Sequence, residues 1–592
     1  MKKRMILALV LLVAGLQMAN ARPAYPGKIV YTQPDGKRIV LQRHGDEFGH
    51  WTTNAAGRMV RKDADGFYRE VSESEASEVR RNAAARRSEA RQASAARAGA
   101  PAVKGERHFL VILVEFSDLP FTTCEDPKAA FDAQLNEPGY SMFGGTGSAR
   151  DYYVENSNGV FDPHFDVYGP VTLPNRKSYY GGNNSAGNDK NVPQAIIDGC
   201  NLLDEEIDFT QYDSDGDGTV DMVFMYYAGY GEADSSDENS IWPNKSSLSN
   251  HGKSLTLDGV NINTYACSNE KNGAGYEHNP DMMCGIGAIC HEFGHVLGLP
   301  DTYDTDYDSN GYAGGLYFYS LMCVGTYSNE GCTPPYLCFE ERKYLGWVTD
   351  SDYLEFDESG VYTIAPINTN TVYRTFTDTE GEYFLYENRS KYGWDAYIPE
   401  GGLIVYHVDK SSRRVGWSSA RSLWDDWEYS NALNRVGSHP CYYIVPAADQ
   451  SSLFYFDTTP DGYLLGKYGM AFPYKSINSY VPMSWNNVEG TVQFRDISFK
   501  NNTVTLRAYV PTGEVDYVTI ADAGSYRAGE RFSFGLVCPK SVDAPDSVVW
   551  YYDDEPAGAD SVTLTAGNHT IEARLTYADG SKSVLTLEIV AK

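Results

Sequence analysis

The stretch "CHEFGHVLGLPDTYD" (residues 290–304) sets two histidines, a glutamate between them and two aspartates close together. On a helix, His291 and His295 lie four residues apart and project from one face, one turn above the other. That spacing lets two imidazoles reach a single metal ion. Glu292 is rotated by about 100° round the axis, so it cannot share the ligand position but can reach a water at the metal. Gly298 tolerates positive φ, which allows the helix to end and the chain to double back. Asp301 then falls where the returning chain can present a third ligand; Asp304 or a more distant carboxylate are the alternatives. Two imidazoles with one hard carboxylate suit zinc and leave a fourth position for water. A core helix holding these residues by coincidence is the competing reading. Gly298 and Asp301 at fixed offsets weigh against it.

Outward from this stretch, composition bounds the rest. A chain of 592 residues exceeds one ordinary core, so several domains are expected. The 45 tyrosines and 55 glycines suit β-rich, loop-rich extracellular proteins better than helical bundles. Lys2, Lys3 and Arg4, then "MILALVLLVAGLQM" and Ala19-Asn20-Ala21, read as an export signal over residues 1–21. No later run is long and apolar enough to span a bilayer, so a secreted or cell-surface protein is expected, with no membrane insertion after signal removal. Charge is uneven: residues 22–107 carry 17 basic and 11 acidic side chains, a net of +6, whereas 108–592 carry 29 and 69, a net of −40. A basic leader on an acidic body implies electrostatic attraction between them. The same acidity argues against nucleic acid or anionic membranes as partners. The ten cysteines show no dense disulfide framework. Cys290 and Cys323 read as small buried residues, and Cys332 with Cys338 as a possible pair.

The chain divides by pattern. Residues 22–72 alternate strand-like runs ("GKIVYTQ", "RIVLQRHG") with turns, and 73–107 turn Ala-, Ser- and Arg-rich, with Arg80-Arg81 and Arg86-Arg87 as cleavage points. We read 22–107 as a prosegment and cleavable linker, the alternative being an ordinary small domain. Residues 108–348 mix buried strands ("HFLVILVEFSD", "VDMVFMYYAGYGE") with amphipathic helices ("VPQAIIDGCNLL"), as a catalytic domain should. Residues 349–512 show short strands and frequent turns, suggesting a β-sandwich, and 513–592 alternate like an immunoglobulin-like module with an Asp579-Gly580 turn. The fold class expected is multidomain α+β. A second constellation, "DSDGDGTVD", sets Asp213, Asp215 and Asp217 at alternate positions with Asp221 beyond, as in the first half of a calcium loop. Phe224 stands where an EF-hand needs a glutamate, so an Asx-rich turn is the alternative.

The segment "HEFGHVLGLPDTYD" resembles the immune inhibitor A family of secreted bacterial metallopeptidases, grouped with the metzincin-like zinc enzymes. "SLMCVGTY" (320–327) is similar to the Met-turn, which would place Met322 beneath the metal. "YDSDGDGTVDMVFMYYAGYG" looks like the family's acidic loop, and "YFLYENR" with "GWDAYIPEGGLIVYHVD" like its β-rich domain, so the likeness spans roughly residues 108–512. It implies a metzincin-like α/β catalytic domain followed by β-sandwich domains. It implies endopeptidase hydrolysis of protein or peptide substrates, with zinc as cofactor, calcium as a structural ion and Glu292 as the base. Many metzincins place a histidine where this chain has Asp301. A prosegment must then act in cis as inhibitor, and residues 22–123 hold no cysteine to do so as a thiolate. Asp46, Glu47, His44 and His50 in "RHGDEFGH" could instead reach a metal, or be turn residues. Two other classes stay open: a catalytically dead adhesin on this scaffold, and a zinc exopeptidase or amidase.

Overall fold

The computed structural model describes residues 22–46, 49–92, 103–184, 187–235, 237–273, 282–305, 315–413, 424, 431, 434, 436–448, 469–510, 518–520, 526–538, 542–558 and 561–592. The export signal expected over 1–21 lies outside them, as do Glu47 and the side chains of Arg86 and Arg87. Among the described residues no helix is long and apolar enough to cross a membrane.

The leader forms a five-stranded antiparallel meander: β1 (Lys28–Thr32), β2 (Arg38–Asp46), β3 (Gly49–Asn54), β4 (Met59–Lys62) and β5 (Tyr68–Glu70). Ile29, Leu41, Val60 and Tyr68 give it a small core of its own. A helix, Glu73–Gln92, follows and carries the Arg-rich stretch.

The central unit is a five-stranded sheet built from β6 (Gly105–Glu115), β7 (Phe161–Thr172), β8 (Val223–Tyr230), β9 (Lys245–Ser247) and β12 (Thr264–Lys271), with a short hairpin of β10 (Leu255–Leu257) and β11 (Val260–Ile262) between the last two. The order is β7-β6-β8-β12-β9; the first four are parallel and the edge strand β9 runs antiparallel to β12. Parallel strands covered on both faces read as unbroken apolar runs, which is why "FLVILV" and "VFMYYA" are buried throughout. The far half of β12 departs from this: Ser268, Asn269 and Glu270 are buried yet polar. Glu270 is satisfied by three main-chain N–H groups, from Thr122 and Thr123 at 2.6 and 2.7 Å and from Gly229 at 2.8 Å.

Against this sheet lies the helix Gly287–Leu297, buried on nearly every side, as its near-continuous apolar surroundings require. The core that encloses it continues without a break into the next unit: Leu385, Ile404, Tyr406 and Val408 join Phe293 and Met322 in one cluster. Those residues belong to a sheet ordered Leu354–Glu355, Val372–Phe376, Glu382–Arg389, Gly402–Asp409, Tyr442–Ile444. Its opposite face, with Phe384, Tyr386, Leu403 and Val405, packs on a three-stranded sheet through Phe494, Val504 and Leu506. A buried ion pair fastens the junction. Arg389 donates to both oxygens of Asp395 at 2.7 Å, and to the carbonyls of Tyr319 and Tyr336 at 2.8 and 2.9 Å. The boundary read at 348/349 is therefore a change of pattern but not of core. Residues 518–592 form antiparallel sheets round a separate core of Phe532, Phe534, Ile571, Leu575 and Ile589, and Gly580 (φ +81°) turns the last hairpin.

All ten cysteines are free thiols, which corrects the pairing of Cys332 with Cys338. Cys338 caps the helix Phe339–Tyr344 and points its Sγ at the Tyr319 carbonyl, 3.4 Å away. Cys290 and Cys323 are buried, as expected of small core residues.

Candidate metal centre

The helix Gly287–Leu297 ends at Gly298, whose φ of +112° is left-handed. Only glycine adopts this without strain. The reversal brings the Leu299 carbonyl back under the helix, where His295 Nδ1 donates to it at 2.7 Å. His291 Nδ1 donates likewise to Leu321 O at 2.9 Å. A carbonyl can only accept, so both Nδ1 atoms carry a proton, and in the neutral rings both Nε2 atoms present a lone pair.

Those two Nε2 atoms lie 3.1 Å apart, and Asp301 Oδ1 is 3.3 Å from each. Three acceptors converging with no proton between them repel one another unless a cation sits among them. A metal fits this donor set of two neutral imidazoles and one carboxylate, each held by an outer partner. Asp304 is buried but lies outside the cluster, so Asp301 is the carboxylate the fold delivers. Met322 lies beneath: a Cβ on Gly294, the residue before His295, would come within 2.9 Å of its Sδ. Thioether and glycine fit because neither has spare bulk.

Glu292 is fully buried beside the ligands. Its Oε2 has no hydrogen-bond partner among the described residues. Burial pushes its pKa well above the usual carboxylate range, against the pull of a main-chain N–H that donates to Oε1 at 2.8 Å. That N–H belongs to Arg22, the first described residue of the leader. The leader's entry is anchored further on. Arg22 Nη2 pairs with Asp234 Oδ2 at 2.9 Å, Trp242 Nε1 donates to Arg22 O at 3.3 Å, and Tyr327 Oη donates to Pro23 O at 2.7 Å. His50 Nε2 and Arg43 Nη2 reach Glu232 Oε1 at 3.0 and 3.6 Å. The histidines of "RHGDEFGH" thus do not reach the metal ligands: His50 faces Glu232, and His44 bonds Thr53 Oγ1 at 2.9 Å, its pKa lowered by burial to about 4.

Several residues at the site carry no signal in the sequence, Asp234 among them. Arg22 carries no motif. Asn431, from the unit after the catalytic domain, donates Nδ2 to Asp301 Oδ2 at 2.6 Å and accepts the Asp301 N–H on Oδ1 at the same distance. It fixes the carboxylate from 130 residues away in sequence. Asn431→Ala is expected to weaken metal affinity about 10–100-fold, as loss of an outer partner does. Titration against a competing chelator measures it; wild-type affinity would remove Asn431 from the site.

In the acidic loop, Asp213, Asp215 and Asp217 gather their carboxylates. Asp213 accepts the N–H groups of Asp217 and Gly218 at 3.0 and 2.9 Å, which curls the turn. Asp221 turns aside from the three and takes the Ser214 hydroxyl at 2.5 Å.

The sequence from residue 99 to residue 346, which holds every ligand and Glu292, matches the family model described as immune inhibitor A peptidase M6, catalytic domain. Residues 99–346 are a peptidase M6 domain. The family is one of metallopeptidases, and the names of its relatives agree. The relatives include immune inhibitor A of Bacillus thuringiensis subsp. alesti, 26% identical over 272 residues, covering 40% of this chain and 39% of that one. The pre-pro-metalloprotease PrtV of Vibrio cholerae serotype O1 is 27% identical over 263 residues, covering 38% of this chain and 28% of its own. The matches thus span well under half of either relative. Crystalline OgpA from Akkermansia muciniphila aligns over 82% of this chain and 93% of its own, at 9% identity and a TM-score of 0.24.

Proposed function

We propose that this chain is a secreted, zinc-dependent endopeptidase of protein substrates, made as a zymogen. The observation that carries the reading is the convergence of His291 Nε2, His295 Nε2 and Asp301 Oδ1 beside Glu292. A zinc ion held by those three would supply Lewis-acid polarisation of the scissile carbonyl and of the attacking water. Glu292 takes the water's proton on its unpartnered oxygen and passes it to the departing amine. The M6 match supports the metal and the substrate class, and the antiparallel edge strand with Met322 under the histidines supports a metzincin-like architecture. The Glu292 contact is made by Arg22, the residue that follows the expected signal, so the leader's own start lies in the cleft. The same contact supports latency, since the leader's main chain lies where a substrate must lie. A gelatin zymogram of the cleaved chain with and without chelator tests the reading. Clearing that survives the chelator, or no clearing at all, would overturn it.

Calcium in the acidic loop belongs to the same proposal. Three carboxylates gathered by main-chain N–H groups suit a hard cation once it displaces their mutual repulsion. Calcium at about 100 times its Kd should stabilise the fold by about 2.7 kcal/mol. Asp215→Ala should shrink the calcium-dependent rise in Tm; an equal rise in both proteins would place the ion elsewhere.

A further inference from the structure

We propose that the cleft carries a pocket for a basic side chain, built on Asp234, and that the enzyme cuts on the amino side of arginine and lysine. This rests on the peptidase reading above and adds the class of substrate.

In hydrolysis the atom that receives the proton from Glu292 is the amide nitrogen of the bond being cut, which belongs to the first residue after the cut. Arg22 N lies 2.8 Å from Glu292 Oε1. Arg22 therefore stands where that residue stands, and its side chain marks the pocket next to the bond on the departing side. In that pocket Nη2 is 2.9 Å from Asp234 Oδ2 and 3.3 Å from Asn269 Oδ1, and the guanidinium carbon lies 4.9 Å from the centre of the Tyr327 ring. All three partners belong to the catalytic domain, so they stay when the leader leaves.

The remaining contacts do not discriminate. Trp242 and Tyr327 bond the carbonyls of Arg22 and Pro23, which any peptide offers. Side-chain selection falls to Asp234. It is 3% exposed, and among the described residues its one ion pair is with Arg22. A carboxylate buried so deeply is costly without a cation, so an incoming peptide is selected for one. An acidic residue in the same place would set two carboxylates together. Arginine, with its planar fork, can bond Asp234 and Asn269 at once; lysine brings the charge alone.

The step balances with water alone. The C–N bond breaks and the water oxygen joins the carbonyl carbon. One proton passes through Glu292 to the nitrogen, leaving a peptide that ends in a carboxylate and another that begins with the basic residue.

The test uses the full chain cleaved between Arg80 and Val103; the main core draws no residue from before Val103, so the body keeps its packing. Peptides identical except for the residue after one bond (Arg, Lys, Leu or Glu) are digested and the products read by mass spectrometry. Arg and Lys should be cut on their amino side with kcat/KM at least about 10-fold above Leu, and Glu should be poorest. Asp234→Ala, and the isosteric Asp234→Asn as a guard against misfolding, should collapse the Arg-to-Leu ratio toward one. No basic preference, a preference at another subsite, or one that survives both substitutions would overturn the pocket. If wild type cuts nothing, the peptidase reading fails, and the pocket is judged by calorimetry. Arg-Pro-Ala-Tyr (residues 22–25) should bind the cleaved chain more tightly than Leu-Pro-Ala-Tyr, and Asp234→Asn should erase the difference. Equal binding in wild type would end the proposal.

Discussion

Glu292→Gln is expected to keep its metal and lose about 10²–10⁴-fold in kcat/KM on a peptide substrate. The side chain lies beside the three converging donor atoms and is not one of them, so the amide should leave affinity nearly intact. Glutamine matches the shape and can still accept the Arg22 N–H, but its amide cannot take up and return a proton at neutral pH. Metal analysis on the purified variant, paired with a peptide-cleavage assay, separates the two functions. Turnover close to wild type would remove Glu292 from the chemistry. Loss of metal together with activity would show that it supports the ligands instead.

The second large effect is release from latency. The uncut chain should be inactive, and trimming with trypsin between Arg80 and His108 should raise activity at least about 100-fold, the change expected when a site closed in 99 of 100 molecules is opened. The leader is held by the Arg22 main-chain nitrogen on Glu292, by the Arg22 side chain on Asp234, and by Arg43 and His50 on Glu232. Its net charge of +6 against −40 on the body adds attraction that salt should weaken. Arg22→Glu in the uncut chain puts two carboxylates in one buried pocket, so partial activity should appear without any cleavage. Truncating one partner of such a pair costs about 2–5 kcal/mol. Full activity in the uncut wild-type chain would sink the zymogen reading and leave 22–107 as an ordinary domain.

Much of this was legible in the sequence because it is local. Helical periodicity alone sets His291 and His295 on one face and Glu292 off it. Gly298 announces the reversal, since few other residues adopt its φ. The unbroken apolar runs of β6 and β8 announce strands covered on both sides. Asp301 was favoured over Asp304 by spacing, but the choice between them depends on how the returning chain folds.

What the sequence by itself determined, then, is the helix that sets His291 and His295 on one face with Glu292 beside them, and the buried strands, all fixed by interactions within a few residues. Tertiary structure alone decided the rest. Asn431 holds Asp301 from 130 residues away, Arg22 lies on Glu292 from 270 residues away, and Asp234 finds its cation 212 residues upstream. Nothing in their neighbourhoods marks them, because a hydrogen bond depends on distance in space and leaves no period along the chain. The same reason hid the shared core behind the boundary at residue 348 and misled the pairing of Cys332 with Cys338. Short separation in sequence did not turn Cys338 toward its neighbour; packing turned it toward Tyr319.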